Sequence, residues 1–593
     1  MAKDTATLPP GGGFLLAPVG SQRIGTPEDF TDEQREFYRS AHKFALERVL
    51  GNADRIEAKD FPVVRKILRE AGELGFLGLD VPEEHGGLAQ DLTSGVLLAE
   101  AMTVLGSWSV IFGAQVGIGS LPIVYFGTPA QQARYLPRIA SGELACAYAL
   151  SEASSGSDAM AARTRAVLSP DRKHWILNGS KQWISNAGFA DLFIVFAKVD
   201  GEKFSAFIVE RGTPGFSVGP EEHKMGIRGS STCPLVFEDA KVPAENLLGE
   251  IGKGHKIAFN ILNVGRLKLG STCVAGVRHV IALSAAYAKE RKAFGKPIGD
   301  FGLIRDKLAR MVALAYVGEA MSYRTTALID RRAAAGGHQR GTPEYEQDLV
   351  AAVEEYNIEA SILKVWGSEA LFQAADDGVQ IHGGYGFVEE YPIERIYRDN
   401  RVNRIFEGTN EINRLLVPGT LLKRAAKGAF PMMDMAGSVA AALKAEGPPA
   451  VPAGPLGRER RVAEQGKYLF AYATQVAVEA FGAGIADRQE VLGALADVAI
   501  EAFAVDSAVA RALQKPDPVG EACVKLYAEE AHQRAYGRAR AAVLAAAKDP
   551  AVARKHLARL RRLLDEEPGD VVAWREAIAG PTLEQGRYPL AWA

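Results

Sequence analysis

The sequence predicts a mainly α-helical protein built around a β-rich middle, with a further helical region towards its C-terminal end. Three observations carry that prediction. Apolar residues recur at helical spacing up to about residue 145, and again from Ile251 to about residue 425. Between these parts come short runs of β-branched and aromatic residues: Trp175-Ile176-Leu177, Leu192-Phe193-Ile194-Val195-Phe196, Phe204-Ser205-Ala206-Phe207-Ile208-Val209 and Leu235-Val236-Phe237. Finally, 593 residues exceed what one hydrophobic core organises, and a Pro/Gly-rich stretch at 446–457 sets off an Ala-rich remainder.

Taken in order, residues 1–30 are rich in Pro and Gly and read as an arm. Thr31-Asp32-Glu33-Gln34 has the form of a capping box and opens a helical domain over 31–145. Val81-Pro82-Glu83-Glu84-His85-Gly86-Gly87 interrupts it as a loop, in which His85 lacks a second metal-type residue at ligand spacing. Gly127-Thr128-Pro129 and Tyr135-Leu136-Pro137 close this part. The middle domain, 146–250, reads as a small β-barrel or sandwich of short antiparallel strands, punctuated by Gly, Asn and Asp. Residues 251–430 carry long helical segments at 254–290, 300–332, 344–376 and 408–428, the pattern of a bundle with short connections. Beyond the linker, 458–593 is a helical region containing the basic amphipathic stretch Arg554 to Arg562. Such a stretch is either a solvated helix face or a surface that lies on a membrane.

Composition narrows the function classes. Lys and Arg (69) nearly balance Asp and Glu (72), and a net charge of -3 argues against nucleic acid as the main partner. Cys146, Cys233, Cys273 and Cys523 are scattered without C-x-x-C spacing, which predicts a reducing compartment and neither a zinc site nor a disulfide frame. No apolar run reaches the roughly 18 residues of a spanning helix, and the first residues lack a signal-peptide core. The expectation is a soluble, cytoplasmic protein with no metal.

The chemistry is expected in Asp399 to Arg414. Glu407 stands between Phe406 and Gly408, with Ile405 just before. A carboxylate beside apolar side chains is poorly solvated and its basicity rises, while Gly408 lets a flat ligand or a backbone come close. The same residues also read as a helix start, with Thr409 as N-cap and Glu411 in the first turn. Upstream, Tyr148-Ala149-Leu150-Ser151-Glu152-Ala153-Ser154-Ser155-Gly156-Ser157-Asp158 offers hydroxyl and backbone donors to a polyphosphate or a ring edge, or is a Ser-rich turn. Gly265, inside a helical segment beside Arg266, suggests close packing or ligand approach. Arg291 near the loop glycine Gly295 suits a diphosphate.

These stretches, with Gln380-Ile381-His382-Gly383-Gly384-Tyr385-Gly386-Phe387, Arg395-Ile396-Tyr397-Arg398-Asp399 and Phe406-Glu407-Gly408-Thr409, resemble in order and spacing the acyl-CoA dehydrogenase family. The resemblance covers roughly residues 30 to 425 and is nearest the very-long-chain type, which also carries a C-terminal extension. It implies an N-terminal helical domain, a β-barrel domain, a four-helix bundle and an extra helical domain. It also implies FAD-dependent α,β-dehydrogenation of long-chain fatty acyl-CoA to trans-2-enoyl-CoA in β-oxidation. Glu407 would take the α-proton while the β-hydrogen leaves as hydride to flavin N5. FAD would be lined by Tyr148, Leu150, Ser151, Gly156, Ser157, Trp183, Ile184, Ser185, Thr409 and Glu411. Arg291, Phe294, Gln380, Gly383 and Gly384 would bind it too, Arg291 and Phe294 gripping the ADP half across a subunit boundary. Ser157, Asn263, Gly265, Arg266 and Gly408 would lie at the acyl-CoA. Some relatives place their catalytic glutamate at the position of Gly265, so Glu407 has no rival.

The sequence departs from the family at Ser151, usually Thr, and at Ala153, usually Pro; the first keeps a hydroxyl and the second loosens a turn. Implied partners are electron-transfer flavoprotein, a second copy of the chain in a homodimer or larger assembly, and a membrane surface for the C-terminal domain. Alternatives are an acyl-CoA oxidase, a non-catalytic assembly or scaffold relative, and a DNA-bound flavoprotein, against which the net charge of -3 speaks.

Overall fold

A computed structural model of the chain describes residues 8–592 apart from Glu446, Pro449, Pro452, Asp565 and Glu566. Residues 1–7 of the expected arm and those three residues of the expected linker therefore lie outside the described residues. The first layer is helical: α1 (Asp32–Phe44), α2 (Phe61–Glu73), α3 (Leu92–Ala101), α4 (Gly106–Gly113) and α5 (Pro129–Ala140). The capping box at Thr31 forms, with Thr31 and Gln34 satisfying each other's backbone N–H groups. After α4 the chain loosens into a π-helical turn, Ala114–Gly119, a device often found beside functional cavities.

The middle is a sheet of β1 (Cys146–Ala149), β2 (Arg165–Leu168), β3 (His174–Ser185), β4 (Leu192–Val199), β5 (Lys203–Glu210), β6 (Phe216–Val218), β7 (Thr232–Pro243) and β8 (Leu247–Leu248). Its order is β6-β7-β3-β2-β4-β5-β8, with β1 also on β4. The expectation of purely antiparallel strands is corrected: β1 and β2 both run parallel to β4. The long excursion between β1 and β4 supplies the return path that parallel pairing requires. The unbroken apolar run of β4 follows from burial on both faces. Phe193 and Val195 enter the sheet's own core, while Ile194 and Phe196 face the helices.

The second helical layer is α6 (Gly254–Glu290), α7 (Gly302–Ala334), α8 (Pro343–Glu355), α9 (Asn357–His382), α10 (Pro392–Asn400) and α11 (Asn410–Ala426). The segment expected at 344–376 is two helices, parted at Tyr356, whose buried hydroxyl donates to the Pro9 carbonyl. Beyond α12 (Met432–Lys444) come α13 (Gly457–Phe481), α14 (Gln489–Gln514), α15 (Pro518–Ala546), α16 (Pro550–Arg562) and α17 (Val571–Gln585). Of these, α14, α15 and α17 dock on α7, and α14 also on α11. In α16, Leu560 is buried and His556 bonds the Tyr472 hydroxyl at 2.7 Å, which leaves Arg554, Lys555, Arg559, Arg561 and Arg562 exposed.

Residues 8–30 of the expected arm form a strap clasped to the rest of the chain. Phe14, Leu15, Val19 and Ile24 are buried, and backbone N–H groups of Gly12 and Ile24 donate to Glu359 and Gln514. The expectation that no apolar run reaches spanning length is corrected: three helices, Gly106–Phe126, Gly254–Glu290 and Gly457–Asp487, are long and apolar enough to cross a membrane. Half to two-thirds of their apolar windows (50%, 56% and 67%) is buried inside the protein, so they serve as core helices here.

A buried ion network ties the layers together. Glu319 of α7 accepts from Arg278 of α6, from Arg511 of α14 at 2.9 Å, and from Tyr588 and Trp592 near the end of the chain. Arg278 also holds Glu100 of α3, and Arg511 reaches Glu28 of the strap at 2.6 Å. Removing one partner of such a network leaves buried charge uncompensated. Arg511→Met is expected to cost about 3–5 kcal/mol, read as a lower urea midpoint. An unchanged midpoint would show that the network adds nothing to stability.

Candidate active site

Glu407 lies in the turn between α10 and α11, and its backbone is left-handed at φ 57, followed by Gly408 at φ 80. A non-glycine residue held there signals local strain, which persists only where surrounding contacts fix it. Here they do. Arg266 donates Nε to the Glu407 carbonyl at 3.1 Å and Nη1 to Asn263 at 2.8 Å. The Asn413 amide donates to the Gly408 and Thr409 carbonyls. Thr409 is the N-cap of α11 and accepts from Ile412 N. The two sequence readings thus coexist: the helix start is real, and its geometry turns the Glu407 carboxylate inward. Among the described residues the Glu407 N–H donates to no protein acceptor.

The carboxylate occupies space that only a glycine leaves free. A Cβ on Gly265 would fall 2.7 Å from Glu407 Oε2 and 2.9 Å from its carboxyl carbon. Oε2 is buried and has no hydrogen-bond partner. Burial pushes the carboxyl up to about 7, against the opposing pull of Arg266 and Lys364. Lys364 of α9 is itself fully buried, donates to Asn410 Oδ1 at 2.7 Å, and is pushed down to about 8 by burial. Asn410 also donates to Glu369, which takes Arg404 as well, while Arg414 pairs with Asp497 of α14 at 2.7 Å. The C-terminal region therefore touches the supports of the Glu407 turn.

A cavity of about 360 Å³ begins at Glu407, Gly265 and Ser185. Its walls are apolar residues at the end of α3, in α4 and in the π-helical turn, among them Met102 just after α3, Phe112 and Val116. One stripe of α6 lines its length through Leu269, Thr272 and Gly276 to Leu283. Eighteen residues of helix span roughly 27 Å, so the cavity is a narrow tunnel.

The other expected residues fall into two groups. Near Glu407 lie Tyr148, whose buried hydroxyl has no partner, and the β3 bulge, where Trp183 stands at φ 60 and 56% exposed instead of entering the core. Ser185 faces the tunnel. The Ile184 side chain is buried in the sheet core, so only its backbone is on the side of the cleft with Trp183 and Ser185 as neighbours. The Ser-rich segment exposes Gly156 and Ser157 and leaves Ser151 half-buried, while the buried Leu150 accepts Lys181 Nζ through its carbonyl. The turn loosened by Ala153 is held by Glu152, which accepts from Arg163 N, Thr164 and the buried Lys181. Glu411 is exposed at the start of α11, its carboxyl lowered chiefly by backbone hydrogen bonding.

The second group is remote. Gln380 lies sixteen residues beyond Lys364 on α9, roughly 24 Å along the axis. Gln380, Gly383, Gly384, Arg291 and Phe294 are all exposed, Phe294 at 95%. Arg291 lies over the Tyr385 ring at 5.8 Å. Sequence reasoning missed Lys364, whose signal is a lone lysine in an apolar helical run, and the Glu152–Lys181 pair. Among the described residues no group of three or more His, Cys, Asp or Glu could hold a metal, and the four cysteines are buried and unpaired.

Family models describe the same architecture. The acyl-CoA dehydrogenase N-terminal domain matches 31–143, the middle domain 147–240, and the C-terminal domain 252–422, while a second acyl-CoA dehydrogenase C-terminal model matches 465–562. A probable acyl-CoA dehydrogenase of Bacillus subtilis is 44% identical over 99% of this chain and 100% of its own length. The human mitochondrial very long-chain specific acyl-CoA dehydrogenase is 45% identical over 58% of this chain and 51% of its own. A crystal structure of an acyl-CoA dehydrogenase from Bacillus anthracis, complexed with FAD, superposes with a TM-score of 0.94 at 43% identity, covering 98% of this chain and 99% of that one. The butyryl-CoA dehydrogenase of Megasphaera elsdenii matches only 66% of this chain, at 34% identity and a TM-score of 0.59, with 99% of its own length covered. The chain belongs to the acyl-CoA dehydrogenase family, oxidoreductases acting on CH–CH bonds.

Gly265→Ala should drive the Glu407 carboxylate from its seat. Displacement of about 1 Å can cost 10²-fold in rate, so turnover per bound flavin in a dye-coupled assay is expected to fall by about that factor. A variant with full turnover would mean that the carboxylate has room to spare.

Proposed function

We propose that the chain oxidises long-chain fatty acyl-CoA to trans-2-enoyl-CoA in β-oxidation, with FAD as cofactor and Glu407 as the base. The observation that carries this reading is the unpartnered Glu407 carboxylate at the head of an apolar tunnel. An ionised carboxylate in a dry site, raised to about 7, is matched to removing a weakly acidic proton next to a thioester. The free N–H of Glu407, held at positive φ, is available to hydrogen-bond the thioester oxygen as negative charge develops there. Arg266 and Asn413 fix the turn so that carboxylate and N–H keep their mutual orientation.

The residues present fit a flavin. Tyr148 offers an orphaned hydroxyl, Trp183 an exposed ring on a bulge, and Ser151, Ser157 and Ser185 polar edges around them. When bound, FAD supplies the acceptor for the β-hydrogen as hydride. The remote group of Gln380, Gly383, Gly384, Arg291 and Phe294 supports a homo-oligomer in which one subunit holds the far half of its neighbour's cofactor. Phe294 of this group, and Leu303 and Phe387 close to it in sequence, are exposed apolar side chains of the kind that assembly covers. We assign electron-transfer flavoprotein as the acceptor; rapid reoxidation by air with product bound would favour an oxidase instead. The exposed basic face of α16 supports a cytoplasmic protein that touches an anionic membrane surface.

Tunnel length supports long chains. The hydrocarbon core of a bilayer is about 30 Å thick, so one leaflet, one fatty chain deep, is roughly 15 Å; the α6 stripe is longer than that. Thr272 lies seven residues from Gly265, about 10 Å along the helix. Thr272→Phe should therefore lower kcat/KM for hexadecanoyl-CoA at least tenfold relative to hexanoyl-CoA across an acyl-CoA panel. An unaltered profile would place the alkyl chain elsewhere.

Since Glu407 acts ionised, kcat/KM should fall about tenfold per pH unit below about 7 and level off above it. Glu407→Gln should retain flavin and ligand but lose about 10²-fold or more in turnover. Retention of more than roughly a tenth of the rate would remove Glu407 from this role.

A further inference from the structure

The far end of the tunnel differs in kind from its walls. Towards its far end, one turn before Leu283, the α6 stripe passes His279, fourteen residues and so about 21 Å along the helix from Gly265. Opposite it, α10 turns Pro392, Arg395, Ile396 and Asp399 to the cavity at helical spacing. Arg395 therefore sits on the cavity-facing stripe of its helix, half-buried.

The charges around this end are accounted for with one exception. Lys268, close to the Glu407 end, pairs with Asp80 at 3.1 Å. Arg398 is held by Glu394 on its own helix. The Asp399 carboxylate is taken up by the Ile227 N–H. Asp399 lies one turn from Arg395 and acts on it through space, without an ion pair. Burial lowers the basicity of His279, and the nearby Arg395 guanidinium adds to this. Among the described residues neither Arg395 nor His279 has a hydrogen-bond or ion-pair partner. A guanidinium facing an apolar tunnel without a counter-ion is costly, and a planar carboxylate is the partner its fork fits.

We infer that this end of the tunnel is a subsite for an anionic ω-terminus, and that the chain takes long ω-carboxy acyl-CoAs, the monothioesters of α,ω-dicarboxylic acids, alongside plain fatty acyl-CoAs. The inference rests on the acyl-CoA reading above. In it, the thioester end lies at Glu407 and the distal carboxylate of a chain of about sixteen carbons meets Arg395, with His279 as a second donor. No new bond chemistry is involved; the same α and β hydrogens leave.

The test compares hexadecanoyl-CoA with 15-carboxypentadecanoyl-CoA on the full-length, flavin-loaded protein, as wild type, Arg395→Gln and Arg395→Lys. The wild type is expected to use both. In Arg395→Gln the ratio of kcat/KM, ω-carboxy over plain, should fall at least about tenfold, the loss appearing in KM, as expected for a hydrogen bond to a charged group. Arg395→Lys should recover part of that ratio. A ratio within twofold of wild type in Arg395→Gln, or a wild type that rejects the ω-carboxy thioester while oxidising the plain one, overturns the inference. Calorimetric binding of both thioesters is measured in parallel. If neither is oxidised, the acyl-CoA reading has failed, and the ratio of dissociation constants still decides whether Arg395 selects the anionic end.

Discussion

The Glu407 carboxylate rests against the α-carbon of Gly265, and the rest of the site is arranged around that contact. A side chain at position 265 and a carboxylate from position 407 cannot share the space. The glycine inside α6 therefore weakens a helix locally in order to seat an acid. Because the acid arrives from a left-handed turn, its backbone must be tied from two sides, by Arg266 and by Asn413. Because it arrives in a dry place, its ionised form is disfavoured, and the two buried cations nearby only partly restore it. Packing, strain and basicity are thus three aspects of one arrangement.

Much of this was legible in the residue order. The apolar neighbours of Glu407 announced its poor solvation, and the glycine within a long helical pattern announced a close approach. The helix expected at 254–290 forms with those bounds, because its apolar periodicity is continuous and glycine interruptions in it are absorbed by neighbours. Other features depend on partners distant in sequence. Nothing local says that β1 and β2 should run parallel to β4, since that choice is made by the path of the intervening chain. The bulge at Trp183 is likewise set by the pairing of β3 with β7; it changes the alternation and turns the Ile184 side chain inward. Lys364 was hidden because an isolated lysine in an apolar run gives no hint that its partner will be Asn410, 46 residues on.

The strap at residues 8–30 shows the same limit from another side. Its Pro and Gly content is that of a loose segment, yet its backbone N–H groups find carboxylates and amides on α9 and α14. Composition reports what a segment can do alone. Burial of Phe14, Leu15, Val19 and Ile24 is decided by surfaces contributed from the far end of the chain.

The network around Glu319 places the end of the chain at the centre of the molecule. Arg511 arrives late in the sequence, and Tyr588 and Trp592 only in the last residues described. During synthesis on the ribosome, α7 with its carboxylate emerges long before the groups that complete its shell. Before those residues emerge, the Glu319 carboxylate lacks its Arg511, Tyr588 and Trp592 donors, and the α7 face they cover is open to water. The shell around the Glu319 carboxylate is therefore completed by residues made well after α7 itself.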